Sequence, residues 1–502
     1  MENKACKEVV TVANMPMTVF DMISAMQNKY ADRVAFRYVE GKDTVVEKTY
    51  AQYVQDIRKV TGYLQQELGE PKGRKIVILS RTNYEYGAVV FGTMMAGAVI
   101  VTLNQGKTWA ELEHELGMME PDLIFNDGID YGYRAQLEAL YGARLRPMDA
   151  WIAAPEAEMV NRIDHEGLLM LMFTSGTTGR SKGVMLSEKN YFTACQMYID
   201  GQKVIPDQKE RLAPQNLDQT FSHFTLVPMF HLAGFICYFV YGIQGWTLNL
   251  CCDARDLRRD MSMMHSDAMS TPPVLVEMIY NEVKRGHADR LNGLWNLSCS
   301  SAILDPAILS DLVKNGFYIN QCYSMTELAG YGLLNVTQEG DHLRALGKPD
   351  GFCEVKVDET GEICVRGGCV MLGYYKEPEA TAETIDKDGW LHTGDLARVD
   401  EEGYYYMTGR KKNLIILDSG ENVSPEELEK LLGKCGAIKE CIVKEMGKKI
   451  GTVVCCEDDK QQQVKAFVTE LNRTLPMYKR ISVVECSAEP LPRNALGKLL
   501  RK

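Results

Sequence analysis

Apolar runs rich in β-branched residues alternate with helical patterns through the first part of this 502-residue chain. Lys75–Leu79 and Ala98–Leu103 have the composition of buried strands, whereas Tyr50–Leu68 has the apolar spacing of an amphipathic helix. Such alternation predicts α/β layers, in which helices connect the strands of a largely parallel sheet. A single hydrophobic core rarely grows beyond about 250 to 300 residues, so the length predicts at least two domains.

The pattern changes twice toward the end of the chain. Short strands and glycine-containing turns, predicted at Glu354–Val357, Glu362–Arg366 and Tyr404–Met407, indicate a small β subdomain. Farther on, Ser424 and Pro425 are followed by two glutamates, which is the pattern of a helix N-cap with proline at the first helical position. The last part of the chain is therefore predicted to be a separate small α+β domain.

Charge and cysteine content exclude several classes of function. The formal charge of -12 disfavours a general nucleic-acid or anionic-membrane surface, because both require a basic face. The 15 cysteines include no C-x-x-C pair, and the first twenty residues contain no signal-peptide core, which together predict reduced thiols and a cytoplasmic location.

Two apolar stretches, Gly87–Leu103 and Gln219–Cys252, are predicted to be buried rather than membrane-spanning, because the first is short and the second is interrupted by proline and glycine.

The most informative segment is Leu171–Ser187, LMFTSGTTGRSKGVMLS, in which an apolar run leads into a loop of hydroxyl-bearing residues and glycines and then a lysine. Glycines let the backbone approach a ligand, hydroxyls donate hydrogen bonds and lysine adds positive charge, so the loop suits a polyphosphate. It is not a Walker A loop, because Lys182 is followed by Gly183. Seen alone, the segment is equally compatible with a surface turn that binds nothing. The candidate ATP-binding residues are Thr174, Ser175, Gly176, Thr177, Thr178 and Lys182.

This segment resembles the signature of the adenylate-forming superfamily, which includes acyl-CoA synthetases, peptide-synthetase adenylation domains and luciferases. Further motifs follow in that family's order and at compatible spacing, so the resemblance extends from about Thr18 to Lys502. They are Tyr323-Ser324-Met325-Thr326-Glu327, Gly361-Glu362-Ile363 with Arg366-Gly367, Gly373-Tyr374-Tyr375, Thr393-Gly394-Asp395, Gly409-Arg410, Gly420-x-Asn422-Val423-Ser424-Pro425 and Pro492–Arg501. The resemblance implies an α/β fold with a large N-terminal domain, residues 1–410, made of two α/β subdomains and a small β subdomain. A small mobile α+β domain, residues 411–502, would follow.

The resemblance also implies an enzyme that uses ATP, Mg²⁺ and CoA. Such an enzyme activates a carboxylic acid as an acyl-adenylate, releases pyrophosphate, and passes the acyl group to the thiol of CoA. Attack on the α-phosphorus builds negative charge on the phosphoryl oxygens, so the site requires cations and oriented donors. By the resemblance, Tyr323 stacks on adenine, Thr326 contacts the α-phosphate and Glu327 binds the metal ion.

Other nucleotide contacts are implied by the later motifs. Asp395 would accept hydrogen bonds from the ribose hydroxyls, with Arg410 nearby. Ser301 and Ala302 occupy the place of a family turn that lines the nucleotide, where Gly-Gly-Ala-Pro is common. Taken in isolation, an aspartate after glycine more often belongs to a turn, and only the ordered set of motifs favours the binding role.

The small C-terminal domain has two implied roles. Lys498 would reach between the carboxylate and the α-phosphate during adenylation, although a lysine so near the end of the sequence is ordinarily a solvated charge. The domain would then turn about the hinge residue Lys412, so that Gly420, Glu421 and Asn422 face the site during attack by the thiol. Lys411 is adjacent to the hinge, and the family pattern tolerates a shift of one residue.

The acid itself is less strongly indicated. Amino-acid-activating relatives carry an aspartate beside the pocket, whereas Val227–His231 contains none. His231, predicted to be catalytic, and the aromatic run after it resemble acyl- and aryl-activating members and suggest an apolar pocket, although a buried core helix explains the aromatics equally well. Gly409–Glu429 looks most like long-chain fatty acyl-CoA synthetases, so a fatty acid is predicted. The alternatives are an adenylation enzyme that loads an acyl or aryl acid onto a carrier protein, and a non-catalytic nucleotide- or acyl-binding protein.

Overall fold

The computed structural model describes residues 10–175, 181–201, 221–299, 306–338, 340–417, 422–447, 449–493 and 499–500. The chain divides into two units. The first consists of Met1–Val355 and Val365–Leu391, and the second of Lys356–Cys364 and His392–Lys502. The domain boundary predicted at residues 410 and 411 stays a prediction.

The first unit contains two large β-sheets and most of the helices. Its strands are β1 (Val34–Glu40), β2 (Thr44–Thr49), β3 (Lys75–Leu79), β4 (Val99–Thr102), β5 (Leu123–Asn126), β6 (Leu145–Pro147), β7 (Met170–Ser175), β8 (Ser181–Leu186), β9 (Ser222–Thr225), β10 (Thr247–Leu250), β11 (Ala268–Thr271), β12 (Asn296–Cys299), β13 (Tyr318–Met325), β14 (Gly330–Asn335) and, later in the chain, β17 (Gly373–Tyr374). Its helices are α1 (Val19–Asn28), α2 (Tyr50–Leu68), α3 (Tyr84–Met95), α4 (Trp109–Met119), α5 (Arg134–Tyr141), α6 (Glu188–Gly201), α7 (Leu232–Gln244), α8 (Leu257–Met263), α9 (Pro273–Lys284), α10 (Pro306–Lys314) and α11 (Pro378–Thr384).

Both sheets are mainly parallel with antiparallel edges. The eight-stranded sheet has the order β14-β13-β12-β11-β9-β10-β1-β2, and its outer strands β14 and β2 are antiparallel to their neighbours. The seven-stranded sheet has the order β17-β8-β7-β4-β3-β5-β6, in which β17 and β8 form the antiparallel edge. Parallel strands connected through helices are the arrangement that the alternating sequence pattern predicted, and the α/β fold class is confirmed.

Helices α3 and α7 are apolar on all sides because they lie inside the first unit rather than on its surface. The aromatic side chains of α7, including Phe235 and Tyr241, are at most 3% exposed. Phe239 stacks on Tyr191 of α6 with ring centroids 4.8 Å apart. The apolar stretch Gly87–Leu103 therefore forms part of a buried helix and a strand, as predicted. In the described part of the chain, every helix is too short or too polar to cross a bilayer.

The second unit combines small sheets with two helices. Its elements are β15 (Cys353–Val357), β16 (Glu362–Gly367), β18 (Leu391–Val399), β19 (Tyr405–Arg410), β20 (Ile415–Ile416), β21 (Asn422–Val423), β22 (Glu440–Met446), β23 (Lys449–Cys455), β24 (Val483–Ser487), α12 (Pro425–Leu432) and α13 (Gln461–Thr474). The sheets have the orders β15-β16-β18-β19, β20-β21 and β22-β23-β24, and the division of the chain passes through three strands of the first of them. Ser424 caps α12 by accepting a hydrogen bond from the Glu427 amide at 3.4 Å, with Pro425 at the first helical position, as the sequence predicted.

Candidate functional site

Strands β7 and β8 flank the glycine-rich segment in the sequence. These strands pair antiparallel, with Thr174 opposite Lys182 and Ser175 opposite Ser181. Neighbouring strands lie about 4.8 Å apart, so Thr174 and Lys182 are side by side on the two strands. The predicted ATP-binding residues Gly176, Thr177 and Thr178 lie outside the described residues, and Ser175 is described only through its backbone.

Tyr374 brings two of the predicted site residues together. Its hydroxyl donates a 2.9 Å hydrogen bond to Oε1 of Glu327, and Nζ of Lys182 lies 4.6 Å from the centroid of its ring. Burial, reinforced by the Glu327 charge, raises the pKa of Tyr374 well above its ordinary value, so the hydroxyl stays protonated and can donate. A lysine and a carboxylate therefore contact one tyrosine, next to the glycine-rich segment of the sequence.

Backbone pairing explains this position of Tyr374. Strand β17 pairs with β8, with Gly373 opposite Met185 and Tyr374 opposite Val184. Gly373 has a φ of 134°, and a Cβ at this position would lie 2.7 Å from Cγ2 of Thr381, so only glycine fits. The glycine of the Gly-Tyr-Tyr motif is thus required for the local fold, and the residue after it supplies the tyrosine side chain. Sequence reasoning had not assigned Tyr374 to the site, although the motif itself was the available signal.

Thr326 and Glu327 begin a 3-10 turn directly after β13. The backbone carbonyl of Glu327 accepts a 2.9 Å hydrogen bond from the Met371 amide, which fixes the turn. Tyr323, two positions before the end of β13, is 8% exposed, and its ring lies against Gly332, where a Cβ would approach to 3.2 Å. The pairing of β13 with β14 shifts register between Tyr323 and Ser324, and such irregularities redirect the following side chains.

His231 is the N-cap of helix α7. Its Nδ1 accepts a 3.2 Å hydrogen bond from the Ala233 amide, and burial lowers its pKa, so the ring is neutral near pH 7. The aromatic residues that follow it are core residues of the first unit, in agreement with the buried-helix alternative for that run. A catalytic role for His231 stays a prediction.

In the second unit, Asp395 and Arg410 lie opposite each other on β18 and β19. Nε of Arg410 is 2.9 Å from Oδ1 of Asp395, whose side chain is nearly buried. Because a buried carboxylate requires compensating donors, the contact with Arg410 satisfies and orients the predicted ribose ligand.

Glu362 organises the turn that carries Asp395, and sequence reasoning missed it as a functional residue. Its side chain is 2% exposed, and Oε1 accepts a 2.8 Å hydrogen bond from the Gly394 amide. Oε2 lies 2.7 Å from Nζ of Lys411 and 3.3 Å from Nδ1 of His392. One buried carboxylate thus connects the Thr-Gly-Asp turn to the residue next to the predicted hinge, Lys412.

One predicted catalytic segment of the second unit, residues 420–422, follows β20 in the chain and ends at the first residue of β21. Strands β20 and β21 pair with Ile416 opposite Asn422, so Gly420 and Glu421 belong to the connection between them. Those two residues lie outside the described part of the chain, and Asn422 is described only through its backbone. Ser301 and Ala302, which were predicted in the first unit, are outside it as well.

Lys498 also lies outside the described residues, but the base of its loop is described. Arg493 forms an isolated antiparallel bridge with Leu499, and the Leu500 amide donates to the Pro492 carbonyl at 2.8 Å. Glu440 of β22 pairs with the Arg493 guanidinium and accepts a 3.0 Å hydrogen bond from the Leu491 amide. The described residues that flank Lys498 in the sequence are therefore attached to β22.

Comparison with known proteins identifies the family. The family model for AMP-binding enzyme matches residues 24–375, well over half of the chain. The chain belongs to the AMP-binding enzyme family. The predictions of an enzyme and of membership in the adenylate-forming superfamily are thereby confirmed.

Individual relatives of this AMP-binding enzyme are distant but cover most of its length. The peroxisomal OPC-8:0-CoA ligase 1 of Arabidopsis thaliana is 27% identical over 87% of this chain and 84% of its own. A long-chain-fatty-acid–CoA ligase of Escherichia coli O157:H7 is 26% identical over 97% of this chain and 93% of its own. The ATP-bound structure of MatB from Rhodopseudomonas palustris shares the fold, with a TM-score of 0.81, 24% identity and 97% coverage of both chains.

The residues of this AMP-binding enzyme fit the magnesium ion that the family implies. Mg²⁺ prefers oxygen ligands, and carboxylates that bind it are themselves held by hydrogen bonds. Glu327 meets both conditions, because the Tyr374 hydroxyl orients its carboxylate and Met371 fixes its backbone. Lys182 adds a cation at the Tyr374 ring, and a cation suits the phosphate groups of a magnesium-bound nucleotide.

Tyr374→Phe is expected to raise the Mg²⁺ concentration for half-maximal rate about tenfold, because hydrogen bonds to metal ligands typically contribute 10- to 100-fold in metal affinity. Initial rates across a Mg²⁺ titration at constant ATP measure the effect. Tyr375→Phe is the matched control, since it removes a hydroxyl from the adjacent residue. An unchanged Mg²⁺ dependence in Tyr374→Phe would show that the hydroxyl does not position Glu327.

Proposed function

We propose that the protein uses ATP and Mg²⁺ to activate a fatty acid as an acyl-adenylate, and then transfers the acyl group to the thiol of CoA. The observation that carries the proposal is the Lys182–Tyr374–Glu327 arrangement beside the glycine-rich hairpin. A cation and an oriented carboxylate next to such a loop match the demands of a magnesium–polyphosphate group. The family membership and the CoA ligases among the relatives agree with this reaction.

The first step is the attack of a carboxylate oxygen on the α-phosphorus, with pyrophosphate as the leaving group. Bound magnesium would neutralise part of the phosphate charge. Glu327 would hold that ion, Lys182 would contact the phosphates, and Thr326 would donate to the α-phosphate. These donors favour the transition state because negative charge on the phosphoryl oxygens and on the leaving group increases during attack.

Residues of the second unit would complete the reaction. Asp395, held by Arg410, would bind the ribose hydroxyls and so position the α-phosphate for attack. Lys498 would stabilise the charge that develops between the carboxylate and the phosphate. For the thiol step we retain the prediction that the domain of residues 411–502 turns about Lys412 and presents Gly420, Glu421 and Asn422.

A fatty acid is supported over an amino-bearing acid. No acidic side chain occurs in Val227–His231, so an ammonium group on the substrate would have no carboxylate partner there. The Escherichia coli relative acts on long-chain fatty acids according to its name, and it covers nearly the whole chain. An aryl acid remains the second candidate acid, because the sequence resemblance includes aryl-activating enzymes.

CoA is supported over a carrier protein as the acceptor, since the relatives named above are CoA ligases. A carrier-protein acceptor and a non-catalytic binding protein are the alternatives that an activity assay separates. The cytoplasmic location predicted from the sequence stays a prediction.

The test is a panel of fatty, aryl and amino acids incubated with the full chain, ATP and Mg²⁺, each with and without CoA. We expect fatty acids to drive pyrophosphate release and the matching acyl-CoA to form. Pyrophosphate release without acyl-CoA, followed by acylation of a phosphopantetheine-bearing protein, would replace CoA by a carrier protein. No release with any acid would overturn the enzymatic proposal.

A further inference from the structure

Three potential metal ligands converge in the second unit. The predicted magnesium ligand, Glu327, belongs to the first unit. The ligand atoms of Asp358, Cys364 and His392 all lie within 4.8 Å of one another. Cys364 is fully buried, whereas Asp358 and His392 are partly exposed. The group thus combines a thiol inside the unit with two ligands that an ion can reach from solvent.

Two distances at this cluster, both measured from His392, match the edges of a zinc tetrahedron. With Zn–S near 2.3 Å and Zn–N or Zn–O near 2.0 to 2.1 Å, the edges of the tetrahedron measure about 3.5 Å for sulfur to nitrogen and about 3.3 Å for nitrogen to oxygen. The Sγ of Cys364 is 3.5 Å from Nδ1 of His392. Oε2 of Glu362 is 3.3 Å from the same nitrogen. Thiolate, imidazole and carboxylate are together a ligand set for a borderline-soft ion, in contrast to the all-oxygen set that magnesium prefers.

Backbone amides hold both carboxylates in place. Oδ1 of Asp358 accepts hydrogen bonds from the amides of Thr360 and Glu362 at 2.8 and 2.9 Å. The other carboxylate is held through its Oε1 by the Gly394 amide at 2.8 Å. Such outer contacts orient metal ligands and lower the cost of ordering them when an ion binds.

Lys411 places a positive charge at this cluster in the metal-free state. Its Nζ lies 2.7 Å from Oε2 of Glu362. The Glu362 carboxylate therefore already pairs with a cation, which a divalent ion can replace. Lys411 is part of a 3-10 turn at the chain segment 411–413, next to the predicted hinge residue Lys412.

We propose that Asp358, Glu362, Cys364 and His392 bind Zn²⁺, and that the ion displaces Lys411 from Glu362. The Cys364 thiol loses its proton to solvent and bonds to zinc through sulfur, so one proton is released from the thiol for each ion bound. No change of oxidation state is involved. Zinc binding frees the Lys411 side chain beside the hinge, and it also fixes His392 at the start of the Thr-Gly-Asp turn.

Titration of the full chain with Co²⁺ as a spectroscopic substitute tests the site, followed by competition with Zn²⁺. The wild-type protein should show a thiolate-to-cobalt charge-transfer band and the visible bands of a tetrahedral ion, at one ion per chain. Cys364→Ser should lose the charge-transfer band, and His392→Gln should weaken binding at least about tenfold. Cys486→Ser and His114→Gln are the matched controls and should behave as wild type.

Lys411→Met provides an independent measurement that does not alter a ligand. Removal of the competing ammonium should tighten Zn²⁺ binding about fivefold, in proportion to the modest strength of a partly exposed ion pair. Identical spectra for wild type and Cys364→Ser, or unchanged or weaker binding in Lys411→Met, would overturn the proposal. The readout is metal binding alone, so its failure is distinguishable from a failure of the proposed ligase reaction.

Discussion

Lys498→Ala is expected to lower the rate of acyl-adenylate formation about 100- to 1,000-fold, the usual cost of removing a donor that stabilises transition-state charge. The described residues on either side of it are joined to each other by the Arg493–Leu499 bridge and to β22 by the Glu440–Arg493 ion pair.

The Lys498→Ala variant also separates the two steps of the reaction. Supplied with chemically prepared acyl-adenylate and CoA, it should still form acyl-CoA at a rate near that of wild type. Lys465→Ala, which removes an exposed lysine from helix α13 of the same unit, is the matched control and should leave both steps unchanged. Adenylation at the wild-type rate in Lys498→Ala would exclude the role assigned to this lysine.

The second large effect is expected from Glu327→Gln. Replacement of the charged ligand by a neutral amide should lower the adenylation rate at least about 100-fold at low Mg²⁺, because the metal loses its carboxylate ligand and the phosphates lose charge neutralisation. Excess Mg²⁺ should recover part of the rate. Tyr374 can still donate to the amide oxygen, so the local packing is retained.

Stopped assays of pyrophosphate release across a Mg²⁺ series measure this effect. Glu113→Gln serves as the control, since Glu113 is an exposed carboxylate on helix α4. A rate and a Mg²⁺ dependence equal to those of wild type in Glu327→Gln would mean that the metal ion is held by other groups.

Secondary structure could be predicted wherever the periodicity of the sequence agrees with burial. Tyr50–Leu68 and Lys75–Leu79 form a helix and a strand with the predicted bounds, and β16 and β19 begin within one residue of prediction. The reason is that an amphipathic face or a short β-branched run can be recognised from neighbouring residues alone. Ser424 and Pro425 begin α12 as predicted because capping is a local interaction.

The contacts that build the site depend on pairs distant in sequence, and periodicity carries no information about them. Tyr374 reaches Glu327 across 47 positions, and Glu362 reaches the Gly394 amide across 32. Motif order placed all four residues in recognised segments. It did not show that they are in contact, and for Tyr374 the pairing of β17 with β8 supplies that information. The aromatic run of α7 was equally ambiguous, because a helix that is apolar on all sides has no face to indicate a pocket.

The central claim, that the chain activates a carboxylate before any thiol is present, is tested most directly by a reaction without CoA. Full-length protein, ATP, Mg²⁺ and a fatty acid are quenched, and bound nucleotides are measured by mass spectrometry together with ATP–pyrophosphate exchange. We predict acyl-adenylate and pyrophosphate in equal amounts, with exchange that requires the acid. Absence of both acyl-adenylate and acid-dependent exchange, in protein that is folded and binds ATP, would contradict the account.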